Sequence, residues 1–218
     1  FYQTYYRPDN IVIVIVGDVN ADDIRPSLER YFGRIPSQKS QLPELATTEE
    51  KQIGERQVVI EFDAQPEVML AYHKPVYPNK DDIYFSVLHA LLNDGRSSIF
   101  HKELVQDKKL ATAIYTTEAP GEKYPSLFIV GATPRQGVSY EKLISAIRDI
   151  FTRIANNGVD VNLLESAKRR VLVGFLNSLD DNEHLADLLG KSELLYGDWN
   201  RILEMYEVVG STTVNDMK

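Results

Sequence analysis

The order of residue patterns between positions 58 and 133 constrains this chain most: strand, strand, helix, helix, strand, strand. Val58, Ile60 and Phe62 alternate with Val59, Glu61 and Asp63, and Val68, Leu70 and Tyr72 alternate with Met69, Ala71 and His73. That period of two belongs to half-buried strands over 58–63 and 67–74. Helical spacing follows Asn79, which has Asp82 three residues on, and it buries Tyr84, Val87, Leu88, Leu91 and Leu92. Gly95 stops that helix, and Ser97 or Ser98 can cap a second one carrying Ile99, Phe100 and Leu104. Ala113, Tyr115 and Thr117 then share one strand face, as do Leu127, Ile129 and Gly131. Pro120-Gly121-Glu122-Lys123 between them marks an antiparallel hairpin.

Beyond Pro134 the pattern is helical. Leu143, Ile144, Ile147, Ile150, Phe151 and Ile154 form an apolar stripe stopped at Asn157-Gly158. Asp160 caps a helix to about Leu179, another runs from Asp181 to Tyr196 before Gly197, and a short one covers 199–209. Strands, helices, strands and then helices make an α+β fold, an antiparallel sheet covered on one face by helices.

The first 36 residues do not fit that plan. The run Ile11-Val12-Ile13-Val14-Ile15-Val16 has no alternation, which suits a strand buried on both faces. Asn20, with Asp23 three on, caps a helix carrying Ile24, Leu28, Tyr31 and Phe32 and closed by Gly33. One strand and one helix make no core. Residues 1–36 therefore read as the terminal strand and helix of a preceding domain, 37–54 as a polar linker, 55–210 as a complete α+β domain, and 211–218 as a lead-out segment. An unpaired β-branched run also makes self-association of the chain an expected behaviour.

Composition excludes several partners. A net charge of −8 opposes binding to a nucleic-acid backbone or an anionic membrane. The longest apolar run is far too short to span a bilayer. With no cysteine there is no thiol nucleophile and no thiolate zinc site.

The candidate motifs point away from chemistry. His73, His89, His101 and His184 fall on different elements, with no pair at the i, i+4 spacing of a helical metal site, so no metal ligand is assigned. Asn93-Asp94-Gly95-Arg96-Ser97-Ser98 lacks the second glycine and the lysine of a phosphate loop and reads as a helix-to-helix junction. No serine lies in a G-x-S-x-G setting, and Asp180 and Asp181 read as caps rather than a catalytic pair. No catalytic residue is assigned.

Several stretches, taken in order, resemble the insulinase/pitrilysin family of zinc metallopeptidases. They are Tyr5-Tyr6-x-Pro8-x-Asn10 before the β-branched run, Gly17-Asp18-Val19, Tyr31-Phe32-Gly33-x-Ile35-Pro36 and Leu70-Ala71-Tyr72-x-x-Pro75. Gly95-Arg96-Ser97-Ser98, Lys102-Glu103-Leu104-Val105, Leu164-Glu165-Ser166-Ala167-Lys168 and Gly197-Asp198 continue the series, and the resemblance spans essentially the whole chain. It implies the processing-peptidase-like metallohydrolase fold, in which repeated α+β domains form halves that close around a peptide. It also implies that zinc sits in the preceding domain of the parent protein, on an H-x-x-E-H motif.

That motif does not occur here. Asp180-Asp181-Asn182-Glu183-His184 comes nearest and has aspartate in the first position. In some relatives an arginine and a tyrosine hold substrate where Val105 and Thr112 stand here, so that role is not carried over. The expectation is a non-catalytic chamber-forming domain with no cofactor of its own. Its partners would be the preceding zinc domain, a second half from the same or another chain, and the peptide substrate. Arg96 is the one candidate chamber-facing contact. The alternative is a domain of a catalytically inactive structural or assembly subunit of the same family.

Overall fold

In the computed structural model, which describes residues 1–37, 42–43 and 49–218, three strands pair: β1 (Val68–Lys74), β2 (Ala111–Ala119) and β3 (Ser126–Pro134). The sheet is antiparallel with order β1-β3-β2, so β3 is central. Tyr72 stands opposite Phe128, Leu70 opposite Val130 and Val68 opposite Ala132, and Thr116 and Ile114 continue the row on β2. These side chains face the helices, where Phe128, Val130 and Ala132 are buried. The hairpin between β2 and β3 is closed by the Ser126 hydroxyl, which donates to the Ala119 carbonyl at 2.9 Å.

The chain divides into two compact units, 1–64 and 65–218. In the first, α1 (Tyr2–Tyr5) is a single turn with Tyr2 and Tyr6 stacked, and Arg7 Nε donates to Asp9 at 2.7 Å. Asn20 caps α2 (Ala21–Tyr31) by accepting from the Asp22 N–H at 2.9 Å. Residues 11–16 form no strand among the described residues, and Ile11, Val12, Ile13 and Ile15 are exposed. The expected buried strand is therefore absent here, because a ladder needs a partner and no described strand supplies one. The same correction holds for 58–63, where Val58, Ile60 and Phe62 lie largely in solvent. Part of the expected linker, residues 38–41 and 44–48, lies outside the described residues.

The second unit begins with β1 and then places α3 (Asp81–Asn93) between the sheet and the later helices. Asn79 accepts from the Asp81 N–H at 2.9 Å and opens it. Leu92, with Phe85 and Leu88, faces one core cluster together with Phe100, Leu104, Phe128 and Val130. Ile83, Val87 and Leu91, on its other side, join a second cluster. The stretch expected to be an ordinary helix over 97–106 is a short α-turn running into a π-helix, His101–Asp107. Its Leu104 is fully buried, and the Leu104 carbonyl accepts from the Leu110 N–H at 2.8 Å.

α4 (Tyr140–Asn157) lays Leu143, Ile147, Ile150 and Ile154 into the first cluster and stops at Gly158, whose φ of +75° a side chain would strain. α5 (Val161–Leu179) is capped by Asp160, which accepts from the N–H groups of Asn162 and Leu163 at 2.9 and 3.1 Å. α6 (Asn182–Tyr196) is capped by Asp181 and ended by left-handed Gly197, and α7 (Arg201–Ser211) follows. α5 and α7 supply Leu164, Ala167 and Val209 to the second cluster.

The other sheet face carries Met69, Ala71 and His73 on β1, Leu127, Ile129, Gly131 and Thr133 on β3, and Ala113, Tyr115, Thr117 and Ala119 on β2. Met69 is 62% exposed and Tyr115 37%. Tyr115 stands opposite Gly131 and lies over it, so that a Cβ there would meet the ring at 2.2 Å. Its hydroxyl donates to Glu67 at 2.7 Å, across the central strand.

Candidate functional site

Arg96 follows Gly95, whose φ of +83° makes the sharp turn out of α3. The turn is tied down from α5: Arg170 donates to Asp94 at 3.1 Å, to the Ala90 carbonyl at 2.9 Å and to the Ser166 hydroxyl at 2.9 Å. Arg96 and Ser97 are exposed, whereas Ser98 is buried. Ser98 opens the next helix through its carbonyl, which accepts from the Lys102 N–H at 2.9 Å. Its hydroxyl has no partner among the described residues, so the expected side-chain cap is not made. Val105 packs against the core. Thr112 sits at an irregularity in the β2–β3 register, its hydroxyl donating to the Thr133 carbonyl at 3.3 Å.

The histidines are dispersed. His73 is exposed on β1, and His89 Nδ1 lies 2.6 Å from the Thr116 hydroxyl, joining α3 to β2. His184 Nδ1 lies 3.7 Å from Asp181. Asp181 accepts from the N–H groups of Glu183 and His184, and those bonds hold its carboxyl below the usual range. The Asp180–His184 stretch is thus a helix start. Among the described residues no three His, Cys, Asp or Glu side chains come together as a metal site.

A group of buried charges lies at the opposite end of α3 from Arg96. Lys74 closes the helix-facing row of β1 and is buried, with its amine 2.7 Å from Asp82 and also on Glu118. Arg201, at the start of α7, is buried too. It lies 3.7 Å from Asp82 and 2.5 Å from Glu204, with its guanidinium 4.5 Å from the Tyr77 ring and 5.5 Å from that of Tyr196. Tyr196 in turn donates to Glu122 at 3.2 Å. Burial pulls the Lys74 amine down, but its two carboxylates outweigh that and it stands above the ordinary lysine value. Burial, with the Glu122 and Asp82 charges, pushes the Tyr196 phenol up to about 12.

These groups are committed to one another. Asp82 serves two cations at once, tying β1, α3 and α7 together, and Glu118 and Glu122 extend the tie to β2 and its hairpin. Pairing keeps buried cations from costing several kcal/mol each. Sequence reasoning did not find the cluster, since its members are scattered from Lys74 to Glu204. One signal was available: Lys74 follows Val68, Leu70 and Tyr72 at period two, so it had to point inward and need a counter-charge.

Tyr72, Phe85, Phe128 and Phe151, with Ile154 and Met217 among the other walls, line an apolar cavity of about 290 Å³.

The family model described as "Peptidase M16 inactive domain" matches residues 1–171. The zinc protease PqqE of Helicobacter pylori is 27% identical over 86% of this chain and 43% of its own length. The uncharacterized zinc protease YmxG of Bacillus subtilis is 24% identical over 90% of the chain and 47% of its own. Among solved structures, a protease from Helicobacter pylori superposes with a TM-score of 0.89 at 24% identity, over 98% of this chain and 52% of that one. A peptidase M16 inactive domain from Pseudomonas fluorescens gives 0.67 at 19% identity, over 93% and 47%. The chain spans about half the length of the curated relatives it matches. It belongs to the M16 peptidase family, the insulinase/pitrilysin group, and carries that family's inactive domain.

Proposed function

We propose that this chain supports peptide hydrolysis carried out by a zinc domain outside it, as a wall of the chamber in which a metalloendopeptidase holds its substrate. On this reading residues 1–36 end the preceding domain, 37–54 link it to the inactive domain of 55–210, and 211–218 lead out. The supporting observation is how the charges are used. The buried cations Lys74 and Arg201 are bound to carboxylates that join four elements, as a rigid scaffold requires. Arg96 is the side chain offered outward, on a turn anchored by Arg170. A cation held on such a turn suits the carboxylates or carbonyls of a bound peptide.

The test compares the parent protein with this chain. One zinc per parent molecule, peptidase activity in the parent, and neither in the chain are expected. Arg96→Ala in the parent should raise KM several-fold with little change in kcat, the mark of uniform substrate binding. A tightly bound zinc in the chain itself would overturn the reading. A parent without zinc or activity would instead make it a structural or assembly subunit.

A further inference from the structure

The helical side of the second unit is charged unevenly. Residues 180–217 hold nine carboxylates against two cations, Lys191 and Arg201, so this stretch carries −7 of the chain's −8. Neither cation is left to offset the rest: Lys191 pairs with Asp187 at 2.7 Å, and Arg201 is buried on Glu204 and Asp82. An acidic stretch is ordinarily a solvated face. This one is interrupted by large apolar side chains. Trp199 and Leu203 are 50% and 54% exposed, and Tyr206, one turn beyond Leu203 on α7, is exposed as well. The Tyr206 ring lies 5.7 Å from that of Phe175, which carries the stripe across to α5.

Leu203, Tyr206, Glu207 and Gly210 fall at the i, i+3, i+4 and i+7 positions of one helix face. Open space lies above Gly210, where a side chain would stand. Contiguous exposed apolar surface of this kind marks a place of contact. The carboxylates select the partner. Glu207 lies within the stripe, exposed and with no cation on it among the described residues. At the Trp199 end, Glu193 accepts from the Trp199 N–H at 3.2 Å and Asp198 from the Asn200 N–H at 2.9 Å. Both are fixed in place, and neither meets a cation among the described residues. A second copy would bring acid against acid, and an anionic surface is opposed for the same reason. The complement is apolar and basic. The eleven residues of α7 run about 16 Å, or three turns, and a helix can cover that length with its own backbone satisfied.

We propose that the α7 face around Trp199, Leu203 and Tyr206 docks a basic amphipathic helix of a separate protein. Its apolar side lies on the stripe, and its lysines or arginines meet Glu193, Asp198 and Glu207. The inference does not rest on the chamber reading, and it holds for an active or an inactive parent.

Trp199 is the chain's one tryptophan, so its fluorescence reports on this face directly. The probe is a synthetic helix of about twenty residues, leucine along one side and lysine on the others. It is titrated into the chain, and into the parent with the Trp199→Phe spectrum subtracted. Trp199 emission should move to the blue, with an affinity that falls as salt is added. Leu203→Ser and Glu207→Lys, both at solvent-exposed positions, should each weaken binding about tenfold, while Asp149→Lys, on the exposed side of α4, should not. A scrambled peptide of the same composition should bind at least about tenfold more weakly. Emission that does not move would overturn the proposal, as would equal binding by the scrambled peptide or by the two α7 variants. So would emission that shifts with the chain's own concentration, which assigns the stripe to a second copy. A Trp199 already shielded in the parent and indifferent to the peptide would also overturn it, assigning the stripe to the parent's other residues.

Discussion

The two compact units carry equally clear local signals and come to different ends. Residues 11–16 are as strongly β-branched as any stretch of the chain, and 58–63 alternates as cleanly as β1 does, yet neither is in a ladder among the described residues. In the second unit a weaker pattern, Ser126–Pro134 with a glycine inside it, becomes the central strand. The difference is the presence of neighbours. Phe128 and Val130 have β1, β2, α3 and α4 around them and are buried, whereas Ile13 is 44% exposed. Strand propensity records fitness for a half-buried surface and does not create one.

The sharpest way to break that contrast is a matched pair of truncations. Phe128→Ala empties a fully buried site packed on Phe85 at 5.4 Å and should cost about 3–5 kcal/mol. Ile13→Ala truncates a side chain that is 44% exposed, in a more β-prone segment, and should change stability by less than about 0.5 kcal/mol. Urea unfolding of the chain measures both. Comparable costs would mean that residues 11–16 are packed in solution and that the two units do not differ as described.

A somewhat smaller effect is expected from charge. Asp82→Ala takes one carboxylate from both Lys74 and Arg201, whose side chains are 4% and 2% exposed. Breaking a buried pair costs about 3–5 kcal/mol, but each cation keeps a second carboxylate, Glu118 or Glu204, so about 2–3 kcal/mol is expected. Asp22→Ala, in the exposed first turn of α2, should cost under about 1 kcal/mol. If Asp82 proved as replaceable as Asp22, the cluster would be a surface feature and the scaffold argument would lapse.

The same division explains what could be read in advance. Helix ends were legible because their causes are local: Asn20, Asp160 and Asp181 cap the helices they precede, and Gly158 and Gly197 stop the ones they follow. The β2–β3 hairpin was legible for the same reason. The π-turn over His101–Asp107 was not, since an i→i+5 bond from Lys108 to Glu103 leaves no mark in apolar spacing. Pairing for residues 11–16 and 58–63 depends on strands that no local pattern can supply. The turn that carries Arg96 was legible from Gly95. The Arg170 anchor that holds the turn was not, because it sits more than seventy residues away on α5.

The smallest effect concerns alkaline pH and probes whether the cluster acts as a unit. Tyr196 titrates near 12 when folded, above its ordinary value of 10.0, so between those values the unfolded chain releases a proton that the folded chain keeps. Stability is therefore fully present below about pH 10 and falls as pH rises toward 12. Lys74 has the same sign, since its folded value is raised above 10.5 and its contribution is lost as pH climbs through that folded value. Tyr196→Phe removes the phenol but keeps the ring on which Arg201 lies and the contact with Tyr77 at 4.9 Å. It should leave stability at pH 7 changed by no more than about 1 kcal/mol, through loss of the Glu122 hydrogen bond, and flatten the alkaline decline. Thermal unfolding of both proteins from pH 8 to 11 would measure this. An unchanged slope would place Tyr196 outside the tie between the hairpin and α7, leaving Lys74 and Asp82 to hold the end of α3 without it.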